Sequence, residues 1–206
     1  MNKQIRNIIF DLGGVLVGLD GERCIRAFAQ IGCGAIAGYV AEHRTEDLFL
    51  EIERGEITTR QFCDEVRRIS RCSATDSQIV WAWNELLTTI PDAKKERLLR
   101  LRAAGYRLFL LSNTNGMHWQ RACQLLEYRG HCAADYFDKV YLSNEMHLVK
   151  PDTAIYAAVL AQSGLRADET LFIDDREENL TAASGLGIHT FHERPDHRWD
   201  DLLTLD

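Results

Sequence analysis

Short runs of apolar residues that end in polar side chains recur along this chain, with longer segments of helical period between them. These runs, each short enough to be a buried strand, cover residues 5–10, 107–111, 140–142, 171–173 and 187–191. The periodic segments, with their start and stop residues, predict helices over 93–104, 116–128, 152–163 and 177–186. Because such strands alternate with helices, the sequence predicts right-handed βαβ units and an α/β fold built on a doubly wound parallel sheet.

One long stretch interrupts this alternation. Residues 21–88 contain no clear strand and favour several helices, among them 45–54, 58–69 and 75–88. The pattern therefore predicts a small all-helical insertion directly after the first strand. We expect two domains, a core formed by 1–15 and 89–206 and a helical domain formed by 16–88. The last segment, 194–206, favours a short amphipathic helix against the edge of the sheet.

Composition excludes several classes of partner. Lys and Arg number 24 against 31 Asp and Glu, a formal net charge of −7, and an acidic surface repels nucleic acid. The longest apolar stretch, Ala154 to Ala161, is far shorter than the roughly 20 residues of a membrane-spanning helix. The N-terminus lacks a signal-peptide pattern, and the six cysteines form no zinc-binding motif. We expect a cytoplasmic protein with reduced thiols, present as a monomer or weak homodimer.

Polar side chains follow four of the predicted strands. They include Asp11, Ser112, Asn113 and the pair Asp174-Asp175, and Lys150 follows close behind the third strand. Since ligands bind at the carboxyl ends of parallel strands, we expect these groups to meet in one crevice. Several carboxylates at close range need a cation, and oxygen ligands favour Mg²⁺, which substrate phosphate commonly completes. The residues alone therefore indicate a magnesium site for phosphoryl chemistry.

The same residues resemble the four motifs of the haloacid dehalogenase superfamily of hydrolases. The matching segments are Phe10–Leu16, Leu110–Asn115, Lys150–Asp152 and Phe172–Asp175. Four motifs in the right order at strand ends are a specific signal, and the helical insertion is similar to the cap that covers the site in many members. Within the superfamily, three segments resemble most closely the subfamily IA branch that contains glucose-1-phosphate-type sugar phosphatases. They are Asp11–Gly13, Ser112–Asn115 and Ile52–Ile57.

The resemblance implies a role for each of these residues. Asp11 is the expected nucleophile, which forms an aspartyl-phosphate that water hydrolyses. Ser112 and the backbone amide of Asn113 are expected to bind the phosphoryl group, and Lys150 to neutralise its charge. The expected ligands of Mg²⁺ are Asp11, the backbone carbonyl of Gly13, Asp174 directly or through water, and Asp175. Asn179 is expected to hold the acidic pair, and Arg54 in the cap to contact the substrate.

The chain departs from the family pattern at Gly13. Most phosphatases of the superfamily carry a second Asp there, which acts as general acid for the leaving alcohol and as base for the attacking water. Glycine keeps the carbonyl but supplies no proton, and such catalysis is worth about 10²–10⁴ in rate. A sugar-1-phosphate substrate, with a less basic anomeric leaving group, would agree with this loss. His118 is a candidate substitute, although a packing role is the more ordinary interpretation.

The expected function is therefore a Mg²⁺-dependent phosphatase of small phosphorylated metabolites, with sugar phosphates as the favoured substrates. Two alternatives stay open at this level. One is a phosphotransferase or phosphoglucomutase-like enzyme, in which the phosphoryl group passes to a sugar instead of water. The other is a non-catalytic member that binds a phosphorylated ligand, which only Gly13 favours. Dehalogenation is disfavoured because it does not need the acidic pair Asp174-Asp175.

Overall fold

A five-stranded parallel sheet forms the centre of the computed structural model, which describes residues 5–41 and 48–199. Its strands are β1 (Asn7–Phe10), β2 (Arg107–Ser112), β3 (Lys139–Leu142), β4 (Thr170–Asp174) and β5 (His189–His192). They lie in the order β3-β2-β1-β4-β5. In the register of the central strands, Phe10 lies beside Leu110 on one side and Ile173 on the other. The expected doubly wound parallel sheet is confirmed.

Helices cover both faces of this sheet. They are α6 (Asp92–Ala103), α7 (Gly116–Leu126), α8 (Ala133–Tyr136), α9 (Ser143–Met146), α10 (Thr153–Ser163) and α11 (Glu177–Ser184). One buried cluster, which includes Ile8 and Phe10, packs on one face, and another, which includes Ile9 and Phe172, packs on the opposite face. Strands buried on both sides explain why these runs are continuously apolar rather than alternating.

The insertion after β1 is helical, as expected. It contains α1 (Gly21–Gln30), α2 (Gly34–Ala41), α3 (Leu48–Glu53), α4 (Thr59–Ser70) and α5 (Asp76–Asn84). The helices α4 and α5 begin at capping boxes formed by Thr58 with Gln61 and by Thr75 with Gln78. This part of the chain has its own apolar core, in which the Trp83 ring stacks on Phe49 with centroids 4.8 Å apart.

Two linkers join this helical insertion to the sheet. They run side by side, with the Gly18 amide donating to Thr89 O at 3.1 Å and the Thr88 amide donating to Gly18 O at 2.8 Å. A Cβ on Gly18 would lie 2.5 Å from the Thr88 hydroxyl oxygen, so this close pairing requires glycine. These paired linkers are where the chain leaves the sheet for the helical insertion and returns to it.

Some element boundaries differ from those expected. The helix expected over 75–88 ends at Asn84, because residues beyond it enter the paired linker. Residues 45–47 of the helix expected over 45–54 lie outside the described residues. The helix expected over 194–206 is wrong at its start, since Arg194 and His197 form an antiparallel bridge, and its residues 200–206 lie outside the described part. No helix among the described residues is long and apolar enough to cross a membrane.

Candidate active site

The polar residues that end the central strands meet at the carboxyl edge of the sheet, around a buried lysine. The Lys150 ammonium lies 2.8 Å from Asp11 Oδ1 and 2.7 Å from Asp174 Oδ2. Asp11 immediately follows β1 and Asp174 is the last residue of the adjacent β4, so the sheet itself brings the two carboxylates together. The side chain of Lys150 is 2% exposed, and burial of this cation is possible only because the two carboxylates pair with it.

Asp174 is held rigidly in this cluster. It is completely buried, and its oxygens accept hydrogen bonds from the Arg176 amide at 2.8 Å and from Asn179 Nδ2 at 2.9 and 3.1 Å. Together with the bond from Lys150, these contacts occupy both carboxylate oxygens. The structure therefore places Asn179 where the sequence expected it, one helical turn after the acidic pair and directly bonded to one of its members.

Asp175 reaches the same cluster by close approach to the loop after β1. A Cβ at Gly14, whose φ is +73°, would lie only 2.4 Å from Asp175 Oδ2. Two features favour glycine at this position: the left-handed backbone and the close contact with the Asp175 carboxylate. Asp175 remains half-buried beside Gly14, with its side chain directed toward the other carboxylates.

The electrostatics of the cluster show an excess of buried negative charge. Desolvation raises the pKa of Asp11 to about 7, with the Lys150 charge lowering it and Asp174 raising it. Desolvation and the neighbouring Asp174 also raise the pKa of Asp175. Burial alone would lower the pKa of Lys150, but Asp11 and Asp174 outweigh burial and raise it. One lysine therefore does not fully compensate the carboxylates, which is the situation that a bound cation relieves.

The carboxylates fit a hard divalent cation. Asp11, Asp174 and Asp175 each offer one oxygen, and these oxygens lie within 4.8 Å of one another. An all-oxygen donor set of this kind suits Mg²⁺, which keeps several waters and is completed by phosphate. Gly13, whose carbonyl the sequence expected as a further ligand, lies in the same loop, two residues after Asp11.

Asn113 has a role that the sequence did not indicate. Its side chain donates from Nδ2 to Lys150 O at 2.9 Å and accepts from the Lys150 amide at 2.8 Å. This pair of bonds fixes the backbone that carries the buried lysine. The neighbouring Ser112 is buried at the end of β2, and its hydroxyl donates only to Asn113 O at 3.3 Å, a weak bond that a phosphate oxygen could replace.

Two further candidates from the sequence lie apart from the carboxylates. The Arg54 side chain is 43% exposed and its guanidinium lies 4.0 Å from Glu56, so the structure pairs it within the insertion. His118 is buried, with Nε2 3.1 Å from Trp83 O and the ring stacked on Trp83. Burial lowers the pKa of His118 to about 4. Its ordinary interpretation as a packing residue agrees with these contacts.

The insertion docks on the sheet through a segment that the sequence did not single out as a contact. The Ser143 hydroxyl donates to Glu53 O at 2.6 Å and accepts from the Thr114 amide at 2.9 Å. His147 Nδ1 bonds Arg54 O at 2.8 Å. A Cβ at Gly55 would lie 2.1 Å from Asn144 O. The end of α3 thus covers the carboxyl edge of the sheet, and the sequence signal for it is the Ser143-Asn144 pair that follows β3.

Comparison with known proteins agrees with this geometry. The family model described as haloacid dehalogenase-like hydrolase matches residues 5–187, and the chain belongs to this family of hydrolases. The D-ribitol-5-phosphate phosphatase of Bacteroides thetaiotaomicron is 30% identical over 202 residues, which are 98% of this chain and 98% of that protein.

Solved structures of the family are similar along almost the whole chain. A HAD family enzyme from Bacteroides thetaiotaomicron, solved with magnesium and inorganic phosphate, is 41% identical with a TM-score of 0.91, over 97% of this chain and 100% of that one. A HAD-like hydrolase from Porphyromonas gingivalis is 38% identical with a TM-score of 0.84, over 95% of this chain and 94% of that one. These likenesses confirm the family expected from the four motifs.

Proposed function

We propose that this protein is a Mg²⁺-dependent phosphatase that hydrolyses small sugar or sugar-alcohol phosphates through an aspartyl-phosphate on Asp11. The observation that carries the proposal is the contact of the Lys150 ammonium with both Asp11 and Asp174, at 2.8 and 2.7 Å. This contact keeps a buried carboxylate available for attack and provides positive charge where a phosphoryl group would sit. A purely structural cluster would not need carboxylates whose negative charge one lysine balances only in part.

The expected residues have consistent chemical tasks in this proposal. One Asp11 oxygen attacks phosphorus in line with the leaving oxygen, and water then attacks the phosphorus of the aspartyl-phosphate and releases Asp11. Ser112, the Asn113 amide and Lys150 bind the phosphoryl oxygens while charge develops on them. Asn113 and Asn179 keep Lys150 and Asp174 in place through the hydrogen bonds described above.

The proposed metal ligands are Asp11, the Gly13 carbonyl, Asp174 and Asp175. A magnesium ion bound there would neutralise phosphoryl charge and orient the group for attack. The carboxylate oxygens lie close enough to share one ion, and desolvation raises the pKa values of Asp11 and Asp175 when no ion compensates them. The related HAD family enzyme solved with magnesium and phosphate supports this assignment.

The proposed substrate class rests on the insertion and on the relatives. We propose residues 16–88 as a cap that closes over the sheet edge, since its segment from Glu53 to Gly55 already contacts the loop after β3. Arg54 is proposed to contact the substrate when the cap is seated. The relative named for D-ribitol 5-phosphate favours an open-chain polyol phosphate, whose leaving group is an ordinary alkoxide and not an anomeric oxygen.

Release of inorganic phosphate tests the proposal. The panel contains ribitol 5-phosphate, glucose 1-phosphate, glucose 6-phosphate and p-nitrophenyl phosphate, each assayed with Mg²⁺ and with EDTA. We expect release that needs both Mg²⁺ and Asp11, is lost by several orders of magnitude in Asp11→Asn, and favours the polyol phosphate. Release that survives EDTA or Asp11→Asn would overturn the proposal. Interconversion of sugar phosphates without net release would instead identify a phosphotransferase.

A further inference from the structure

The loop that carries the proposed nucleophile offers no side chain for proton transfer. Gly13 stands two residues after Asp11, and a Cβ there would meet only the side chain of Leu19, at 3.2 Å. An alkoxide leaving from a polyol phosphate needs a proton, and the water that attacks the aspartyl-phosphate must lose one. A group elsewhere must therefore transfer both protons. This argument rests on the proposed phosphatase function.

Glu53 is carried to the sheet edge by backbone contacts that fix its position. It is the last residue of α3, and its carbonyl accepts the 2.6 Å hydrogen bond from Ser143. The next carbonyl, of Arg54, bonds His147 at 2.8 Å, and Gly55 packs directly on Asn144 O. Three consecutive backbone units of the insertion are thus anchored to α9 and the residue that ends it, so the backbone that carries Glu53 has a defined place relative to the sheet.

The surroundings of Glu53 are those of a group that exchanges protons. It is half-buried, and the charged groups that lower its pKa are Lys150 in the acidic cluster and Arg176 after β4, while His147 bonds the carbonyl of the next residue, Arg54. Among the described residues, none donates a hydrogen bond to its carboxylate. Desolvation raises the pKa of Glu53 to about 7, against the opposing charges of Lys150 and Arg176. A carboxyl group whose pKa lies near 7 can both give and take a proton at neutral pH.

Other acids near the site are already occupied. Asp20, which precedes α1, accepts the Arg23 amide at 2.8 Å as the helix N-cap. His118 is committed to Trp83 O and to Asn115. Glu56, three residues after Glu53, is exposed and lies 4.0 Å from Arg54. Glu53 alone, of these four, combines a shielded carboxylate with electrostatic contact to the lysine that holds Asp11.

We propose that Glu53 is the general acid and base of the hydrolysis, supplied by the cap in place of the missing side chain at position 13. In the first step Asp11 forms its bond to phosphorus, the bond from phosphorus to the leaving oxygen breaks, and the Glu53 carboxyl gives its proton to that oxygen. In the second step the Glu53 carboxylate takes a proton from water as the water oxygen bonds phosphorus and Asp11 leaves. Glu53 is then protonated again, and the products are the free alcohol and phosphate.

The test compares Glu53→Gln with wild type on two leaving groups. With ribitol 5-phosphate, we expect kcat/KM to fall by about 10²–10⁴, the usual worth of general acid catalysis. With p-nitrophenyl phosphate, whose leaving group needs no proton, formation of the aspartyl-phosphate proceeds and its hydrolysis slows, so a burst of p-nitrophenol appears. Glu65→Gln, a cap glutamate paired with Arg68 away from the site, serves as the control and is expected to match wild type.

The pH profile gives a second readout. For wild type with ribitol 5-phosphate, kcat/KM is expected to fall as pH rises through about 7, because Glu53 must be protonated to act as an acid. That limb should be absent in Glu53→Gln. Three results would overturn the role proposed for Glu53. The first is an equal loss of kcat/KM on both substrates without a burst of p-nitrophenol. The others are a fall of kcat/KM above pH 7 that persists in Glu53→Gln, and wild-type rates in that variant. Inactive wild type would instead contradict the phosphatase function itself, so the two failures are distinguishable.

Discussion

At the residue scale, the site is organised by one buried ammonium among several carboxylates. Lys150 makes its two ion pairs while almost completely shielded from solvent, and the Asn113 side chain bonds both its backbone amide and its carbonyl. A charge pair of this kind adds little net stability compared with apolar packing, but removing one member leaves the others uncompensated. In the proposed function, the lysine therefore serves catalysis and folding through the same contacts.

Replacing Lys150 with methionine tests this dependence. We expect the free energy of unfolding to fall by about 3–5 kcal/mol at pH 7, because Asp11 and Asp174 lose their buried counter-charge. Urea denaturation measures the change. Lys139→Met is the matched control, since the Lys139 ammonium bonds Gln162 on the surface, and it should change stability little. Equal stability of the two variants would show that Lys150 does not neutralise the cluster.

The raised pKa of Glu53 also predicts how stability depends on pH. Its pKa rises from 4.5 to about 7 on folding, so the folded state holds this proton more tightly than the unfolded state does. The stability that Glu53 contributes is full below about pH 4.5 and is lost as pH rises through about 7. As pH rises from 5 to 8, the melting temperature of Glu53→Gln should therefore rise relative to that of wild type. A constant difference across that range would contradict the raised pKa.

The sequence predicted those site residues whose contacts follow from their position at the end of a strand. Asp11, Asp174 and Asp175 were predicted together because the carboxyl ends of parallel strands meet at one edge. The bonds from Asn113 to Lys150, which lie 37 residues apart, depend on loop geometry that no local pattern encodes. The sequence singled out the segment Ile52–Ile57 only as a resemblance, and the role proposed for Glu53 within it depends on where the insertion contacts the sheet.

At the scale of elements, α9 connects the sheet to the cap. Ser143 begins this short helix, and its hydroxyl joins the Thr114 amide, after β2, to the carbonyl at the end of α3. Three segments that are distant in sequence therefore meet on one hydroxyl group. Sequence reasoning placed the neighbouring strands and the longer helices, but it could not predict α9, because a single helical turn has no periodicity to detect.

Loss of the Ser143 hydroxyl should loosen this junction. Ser143→Ala leaves the Thr114 amide without a partner and releases the end of α3, at an expected cost of about 1–3 kcal/mol in stability. We expect a larger KM for ribitol 5-phosphate and faster amide hydrogen exchange in residues 48–56. Ser184→Ala, at an exposed position in α11, is the control. An unchanged KM together with unchanged exchange would show that the junction does not hold the cap.

At the scale of the whole molecule, a parallel sheet and a helical insertion, the proposed cap, are joined by paired linkers. The apolar core of the cap is separate from those of the sheet, apart from Met117 at the start of α7. The fold class was predicted from the alternation of strands and helices, whereas the seating of the cap was not, because it depends on contacts between distant parts of the chain. In the proposed function, the site is complete only when the insertion contacts the sheet at Gly55.

Substitution at Gly55 should disturb that seating. Gly55→Ala places a Cβ against Asn144 O and strains a backbone with φ of +69°, so the cap is pushed away from the sheet. Gly32→Ala imposes similar strain, with φ of +77°, but meets nothing within 4 Å. We expect kcat/KM for ribitol 5-phosphate to fall by at least about tenfold more in Gly55→Ala than in Gly32→Ala. Equal effects would assign the loss to backbone strain alone.

The most direct test of the account is chemical quenching during the first turnover. Wild type with Mg²⁺ is mixed rapidly with ribitol 5-phosphate and quenched in acid, and the peptide that contains Asp11 is analysed by mass spectrometry, with Asp11→Asn as control. The account predicts a transient phosphoryl group on Asp11 that forms and decays at rates consistent with phosphate release. Phosphate release with no phosphoryl group on Asp11, or with one on another residue, would contradict it.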